Sequence, residues 1–392
     1  MVVMAERARS YLDYNATAPL RPEVAEAMPG ALALVGNPSS VHAEGRAARA
    51  AVEAARERVA RLVGAEPRNV IFTSGGTEAA NAVLSPALHK LRDIGASRLL
   101  TGAGEHPCVL EGHRFGGAVE RIPLDGNGVM DFGWLEARLQ RSASEPVLVS
   151  IQAANNETGV LQPVAEAARL VHQHGGLVHT DAVQAAGKIP VDMAGLRADV
   201  LTLSAHKLGG PKGIGAIVLA SDQISLDERL VRGGGQERGF RAGTENVTGI
   251  IGFGIAAEVA ARDLTREAMR LARLRQACEG ELLRIAHDAV IFGAAAERLP
   301  NTLAFAIPGL RAETALIAFD LEGVAVSSGS ACSSGKVRRS HVLEAMGVPS
   351  PLAEGAIRVS LGWNSSEEDV KMFAAACERL VASLYKRRAA AA

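Results

Sequence analysis

Leu177-Val-His-Thr-Asp-Ala-Val-Gln184 and Asp199-Val-Leu-Thr-Leu-Ser-Ala-His-Lys207 decide how this 392-residue chain is read. Each is a short apolar run that ends in residues able to do chemistry. Neither alternates apolar with polar, as a strand with one wet face would, so both suit strands covered on two faces. Working outward, runs of the same kind occur at residues 70–73, 98–102, 147–152, 177–180, 200–204 and 215–220. Amphipathic stretches lie between them at 42–63, 77–91 and 164–174. Strand–helix alternation of this kind predicts an α/β fold on a mainly parallel sheet.

The pattern changes near residue 250. A long helical stretch is expected from about 246 to 286, then strand-like runs at 303–307, 324–327 and 357–361, and a last helix from 366 to about 386. The expected division is a large domain, 16–262, and a smaller α+β domain formed by 1–15 with 263–392. That agrees with a length beyond what a single hydrophobic core usually serves. No internal repeat is visible, and low complexity is confined to the terminal alanines.

Hydrophobic residues make up 48% of the chain, charged residues 22%, and the net charge is −1. That balance calls for neither nucleic acid nor an acidic membrane surface as partner. Apolar stretches are interrupted short of the ~18–20 residues that a membrane span needs. Two arginines by residue 9 are not followed by an apolar stretch, so no signal peptide and a cytoplasmic protein are expected. The four cysteines lack CxxC or metal-ligand spacing and are expected to be reduced. Cys278 and Cys377 sit among Ala and Leu in helical patterns and read as buried, inert thiols.

Lys207 is one of seven lysines, against thirty-five arginines. A composition that avoids lysine yet places one just past a strand points to a task arginine cannot perform. A buried lysine can shed its proton and bind an aldehyde cofactor covalently; alone, it could equally be a surface lysine at a strand end. Asp181 closes another strand at the edge where α/β proteins bind ligands, and could instead cap the segment that follows. Ser74-Gly-Gly-Thr-Glu78 joins a strand to a helix, either as a plain cap or as a cradle for a phosphate. Its spacing fits neither the P-loop nor the dinucleotide fingerprint. Cys332 lies in Val326-Ser-Ser-Gly-Ser-Ala-Cys-Ser-Ser-Gly-Lys336, a run of small residues expected to form a mobile, exposed loop. With Lys336, Arg338 and Arg339 near in sequence it is a candidate nucleophile. His106 could stack on a planar ring or move protons. Arg358 could clamp a carboxylate, and Asn155-Asn-Glu-Thr-Gly159 reads as a turn or a site loop.

Taken in order, the motifs form a known series. They are Tyr11-Leu-Asp-Tyr-Asn-Ala-Thr17, Gly36-Asn-Pro-Ser-Ser-Val-His42, Thr73-Ser-Gly-Gly-Thr-Glu78, Asn155-Asn-Glu157 and Ser204-Ala-His-Lys207. Gly233-Gly-Gly-Gln-Glu-Arg238, Arg241-Ala-Gly-Thr-Glu-Asn246 and Ser328-Gly-Ser-Ala-Cys332 complete it. Together they resemble the cysteine desulfurases of the NifS/IscS type, within the class V aminotransferase fold, from Tyr11 to about Asp369. The resemblance implies a pyridoxal 5'-phosphate enzyme with a seven-stranded sheet. In it Lys207 binds the cofactor, Asp181 meets the pyridine nitrogen, Gln184 the ring hydroxyl, and His106 stacks on the ring. Gly76, Thr77, Ser204 and His206 would hold the phosphate, joined by Thr244 from the other subunit of a homodimer. Asn156, beside the cofactor, and Arg358 would hold the carboxylate of L-cysteine, and Cys332 would take the sulfur as a persulfide, releasing L-alanine.

The Ser-Gly-Ser-Ala-Cys form matches the subgroup with the long cysteine loop; the Arg-x-Gly-His-x-Cys form of the other subgroup is absent. The acceptor implied is an iron–sulfur scaffold, one serving nitrogenase included, or another thio-cofactor protein. No metal site of the chain's own is expected, although a persulfide at Cys332 can transiently ligate a [2Fe-2S] cluster held with a scaffold. The sequence ends at Arg387-Arg388 and alanines, without the extension by which some members dock a scaffold. Selenocysteine lyase and plain aminotransferase activities are the alternatives within the same cofactor chemistry. A non-catalytic sulfur carrier on the same fold is weakened by the presence of Lys207, Asp181 and Cys332 together.

Overall fold

The computed structural model describes residues 9–90, 95–117, 119–141, 145–328 and 339–391. Seven strands build the central sheet: β1 (Val70–Thr73), β2 (Arg98–Gly102), β3 (Val119–Ile122), β4 (Val147–Ser150), β5 (Leu177–Asp181), β6 (Val200–Ser204) and β7 (Gly215–Leu219). Their spatial order is β1-β7-β6-β5-β4-β2-β3. Strands β3, β2, β4, β5 and β6 pair parallel, whereas β7 pairs antiparallel with both β6 and β1. The sheet is therefore mainly parallel and seven-stranded, as expected.

The apolar runs are explained by burial on both faces. Neighbouring residues such as Ile71 and Phe72, Leu99 and Leu100, and Leu148 and Val149 enter different hydrophobic clusters, and all are buried. Helices Ala43–Leu62 and Val164–Gln173 lie within a residue or two of where amphipathic periodicity puts them. The stretch 77–91 behaves differently. Its helix is Gly76–Val83, because Pro86 disfavours helical backbone at Ser85. Leu88–Lys90 then pairs as a strand with Ile224–Leu226. The edge strand β3, Val-Glu-Arg-Ile, was absent from the sequence reading; of its residues only Ile122 is buried.

A 39-residue helix, Val247–Ile285, serves two cores. Ile250, Phe253, Ala257 and Ala260 belong to the cluster on the sheet. Leu271, Leu274, Cys278 and Leu282 belong to a second cluster with Leu12, Phe305, Val359 and Phe373. The second cluster covers a three-stranded antiparallel sheet of Val290–Ile291, Thr302–Ala306 and Ile357–Ser360. Ser10–Tyr11 pairs parallel with Val324–Ala325, which brings the segment 12–17 across to the large sheet.

Candidate active site

Five strands of the large sheet present their carboxyl ends to one cleft, the location that open α/β sheets use for ligands. Its volume is about 300 Å³, and it is lined by Gly76, Thr77, His106, Asn156, Asp181, Gln184, Ser204, His206 and Lys207, among others. Nearly every cofactor-site residue proposed from sequence is thus in one place. Three are not. Arg358 is 1% exposed and stands behind Asn156, donating from Nη1 to Asn156 O (3.0 Å) and pairing through Nη2 with Asp13 Oδ1 (2.8 Å). Thr244 is exposed and lines a separate depression with Ser74, Arg241 and Asn246. Cys332 lies outside the described residues. The residues that flank its segment are anchored at the site: Ser327 pairs with the backbone of Arg358, and Ser340 Oγ donates to Glu157 Oε2 (2.5 Å).

Lys207 ends a 3₁₀ turn that follows β6 directly. Its Nζ donates to the carbonyl oxygens of Asn15 (2.5 Å) and Ala16 (2.8 Å). At the end of β5, Asp181 Oδ1 accepts from Val183 N (2.9 Å). Burial pushes the Asp181 carboxyl up to about 6, against the lowering effects of that bond and of Lys207. Above that pH it is an anion in a nearly dry wall, with strong preference for a cationic partner. His106 caps the short helix Pro107–Leu110 and accepts at Nδ1 from Cys108 N (3.1 Å). Burial, then Lys207 and His341, hold its imidazole down at about 4. The ring is therefore neutral, with its proton on Nε2, and can lie against a planar ligand without charge. His206 is lowered likewise to about 4, first by burial, and its Nδ1 meets Thr17 Oγ1 at 3.2 Å.

Gly76 and Thr77 open a helix at the end of β1, where free backbone N–H groups and the helix dipole favour an anion. A Cβ on Gly76 would lie 3.1 Å from Val183 Cγ2, so a side chain there would narrow the cleft. On the neighbouring strand Gly215 lies against Gly75 so closely that a Cβ would meet its backbone at 2.6 Å. The turn is thus seated on the sheet by two glycines.

Sequence reasoning missed Asn15, which acts as a hub. Its carbonyl accepts from Lys207 and from Gln184 Nε2 (3.0 Å); its side-chain amide donates to Asn156 O (3.2 Å) and Thr302 Oγ1 (2.9 Å). It also missed Glu105, fully buried behind His106, whose Oε1 accepts from Gln152 N while Oε2 has no partner among the described residues. Burial, then Asp181, raise this carboxyl well above the carboxylate range. Asn15 lies inside the quoted Tyr11–Thr17 motif, and an acid next to a candidate histidine was the available signal for Glu105.

With that geometry in place, the comparisons are specific. The chain belongs to the class V aminotransferase family, which it matches over residues 10–373. It is 41% identical over 379 residues to the cysteine desulfurase IscS of Dictyoglomus turgidum, covering 95% of each chain. To the cysteine desulfurase of Cereibacter sphaeroides it is 44% identical over 368 residues, 92% of each. Among solved structures it is similar to a NifS-like protein from Rickettsia africae, with a TM-score of 0.85 at 33% identity over 95% of this chain and 99% of that one.

The donor set fits pyridoxal 5'-phosphate, the cofactor of this family. An amine, a buried carboxylate, an amide and a neutral imidazole surround the space for a ring, and a helix N-terminus with two hydroxyls and His206 surrounds the space for a phosphate.

Proposed function

We propose that this chain is a cysteine desulfurase that takes sulfur from L-cysteine onto Cys332 as a persulfide and releases L-alanine. One observation carries the reading: Lys207, Asp181, Gln184, His106 and the Gly76–Thr77 helix start line a single cleft, in a chain 41% identical to a cysteine desulfurase over nearly its whole length. Bound there, pyridoxal 5'-phosphate supplies an electron sink that acidifies the substrate Cα–H.

The chain's own residues do the rest. Lys207 holds the cofactor through its amine and afterwards moves the proton at Cα. Asp181 keeps a proton at the ring nitrogen, and Gln184 meets the ring oxygen. His106 covers one ring face as a neutral imidazole. Gly76, Thr77, Ser204 and His206 hold the phosphate, with Thr244 of a second copy. Asn156 and Arg358 hold the substrate carboxylate. The Cys332 thiolate attacks the substrate sulfur: an S–S bond forms, the Cβ–S bond breaks, and the electron pair passes to the carbon skeleton, which takes up a proton to become alanine. The persulfide then goes to an acceptor protein of iron–sulfur or thio-cofactor assembly.

The reading includes a cytoplasmic homodimer and a division into 16–262 and 1–15 with 263–392. Exposed Leu32, Val35 and Val41, together in one short segment, support a second copy, as does the position of Thr244 off its own chain's cleft. Separate core clusters on the two halves of helix Val247–Ile285 support the division. Among the described residues no helix is long and apolar enough to cross a membrane.

The deciding experiment uses Cys332→Ser. Persulfide on the protein should vanish and alanine formation fall by more than about 10²-fold, while the visible absorbance of the bound cofactor stays. Sulfur release at the parent's rate would show that Cys332 is not the nucleophile. Accumulation of a stable pyridoxamine form with cysteine alone would indicate an aminotransferase instead.

A further inference from the structure

Lys188 is a buried amine for which the reaction above has no use. It follows Gln184 by one turn, and its Nζ donates to Gln184 Oε1 (2.7 Å) and Asn15 Oδ1 (3.2 Å). Both partners are amide oxygens, and no carboxylate pairs with it among the described residues. Burial first, then the charges of Lys207 and Arg358, press its ammonium well below the lysine range. The geometry agrees independently. A neutral amine has two N–H donors, and two oxygens receive them, whereas an ammonium would bury a third donor unpaired.

Lys188 donates to the oxygen of each amide, and the other contacts of Gln184 and Asn15 agree with that orientation. Gln184 turns Oε1 toward Lys188, which leaves Nε2 to donate to Asn15 O (3.0 Å) and to face the cleft that Gln184 lines. Asn15 turns Oδ1 toward Lys188 and Asn301 Nδ2 (3.1 Å), which leaves its own Nδ2 for Thr302 and Asn156. We propose that Lys188 is a positioning residue that sets the side-chain amide of Gln184 with its N–H bonds toward the ring oxygen of the cofactor. The inference rests on the proposed role of Gln184.

A donor at the ring oxygen stabilises its anionic form, so loosening that donor raises the pH at which the bound cofactor's visible spectrum changes. Lys188→Met, of similar length but without a donor, should raise that spectral midpoint by about one unit. Lys188→Gln, which keeps an N–H donor, should shift it less. The effect should disappear in a Gln184→Ala background, as it must if Lys188 acts through Gln184. A Lys188→Met shift of the same size with and without Gln184, or no shift at all, overturns the proposal. Should Lys188→Met not fold, the comparison of Lys188→Gln with and without Gln184 is the decisive pair. If Gln184→Ala alone leaves the midpoint in place, the role of Gln184 fails, and the proposal with it. The melting temperature of the cofactor-free protein, recorded beside the spectra, separates the cases: a merely structural lysine moves it and not the midpoint.

Discussion

Asp181 and His179 stand two residues apart on β5, and the same burial shifts their pKa values in opposite directions, each toward its neutral form. The Asp181 carboxyl, pushed up to about 6, is still ionised above neutral pH, where a cationic ring nitrogen would hold it further in that form. Asp181→Asn keeps the shape but cannot hold that proton. Turnover should fall about 10²–10³-fold, the usual size of a lost preorganised charge, with cofactor still bound through Lys207. Alanine formation and the visible spectrum of one sample check both halves, and undiminished turnover would remove Asp181 from its role.

His179 lies between Ser150 Oγ (2.8 Å) and Thr202 Oγ1 (3.1 Å), and burial drives its pKa down to about 3. In the unfolded chain a histidine titrates near 6.5. Between those values the unfolded state binds a proton that the folded state does not, so stability falls as pH drops through the window, by up to about 1.4 kcal/mol per unit. His106 and His206 contribute with the same sign, down to about 4. His179→Gln should flatten the acid limb of a melting-temperature profile by about one proton, and equal slopes would contradict it. At this scale the residues legible in sequence were those ending strands, where apolar runs stop abruptly at chemistry. Asn15, Lys188 and Glu105 were not, because their work is to hold other side chains across long sequence separations, which periodicity does not record.

At the scale of elements, helix Val247–Ile285 meets helix Ala43–Leu62 through a place with no side chain. A Cβ on Gly254 would lie 2.6 Å from Ala55 Cα and 2.7 Å from its Cβ. Helix propensity alone predicts that Gly254→Ala stabilises by about 1 kcal/mol. The contact predicts the reverse, since the helices must separate, at a typical cost of 1–3 kcal/mol for an overfilled core. Packing wins: the urea midpoint of Gly254→Ala should fall, and a rise would show that the helices can part freely. The long helix itself was readable to within about a residue at each end, because apolar spacing persists through both cores. Strand β3 was not, since a half-exposed edge strand carries Glu and Arg and lacks the apolar run that marked its neighbours. The over-long expectation at 77–91 came from letting helical spacing outweigh Pro86.

For the whole molecule the open quantity is the coupling between assembly and cofactor. Thr244 follows the bend at Glu237 and Arg238, both in left-handed backbone, with Glu237 pinned by Arg56 at 2.8 Å. Arg241, near the same bend, reaches Glu78 in the helix that starts at the cleft's Gly76, with Nε to Oε1 at 3.0 Å. The segment carrying Thr244 is thus held firmly, yet its hydroxyl stands outside its own chain's cleft. If a second copy receives that hydroxyl at its phosphate, each monomer lacks one donor that the dimer supplies, and the binding of cofactor and of partner must strengthen each other by the same factor. A hydrogen bond to a charged phosphate is worth about 1.5–3 kcal/mol. Thr244→Ala should therefore weaken cofactor retention by about 10- to 100-fold while Lys207 is untouched. Dilution of the parent should release cofactor in step with dissociation, measured by sedimentation with absorbance read at both protein and cofactor wavelengths. A monomer that keeps its full visible absorbance and its activity would break the link between the two equilibria.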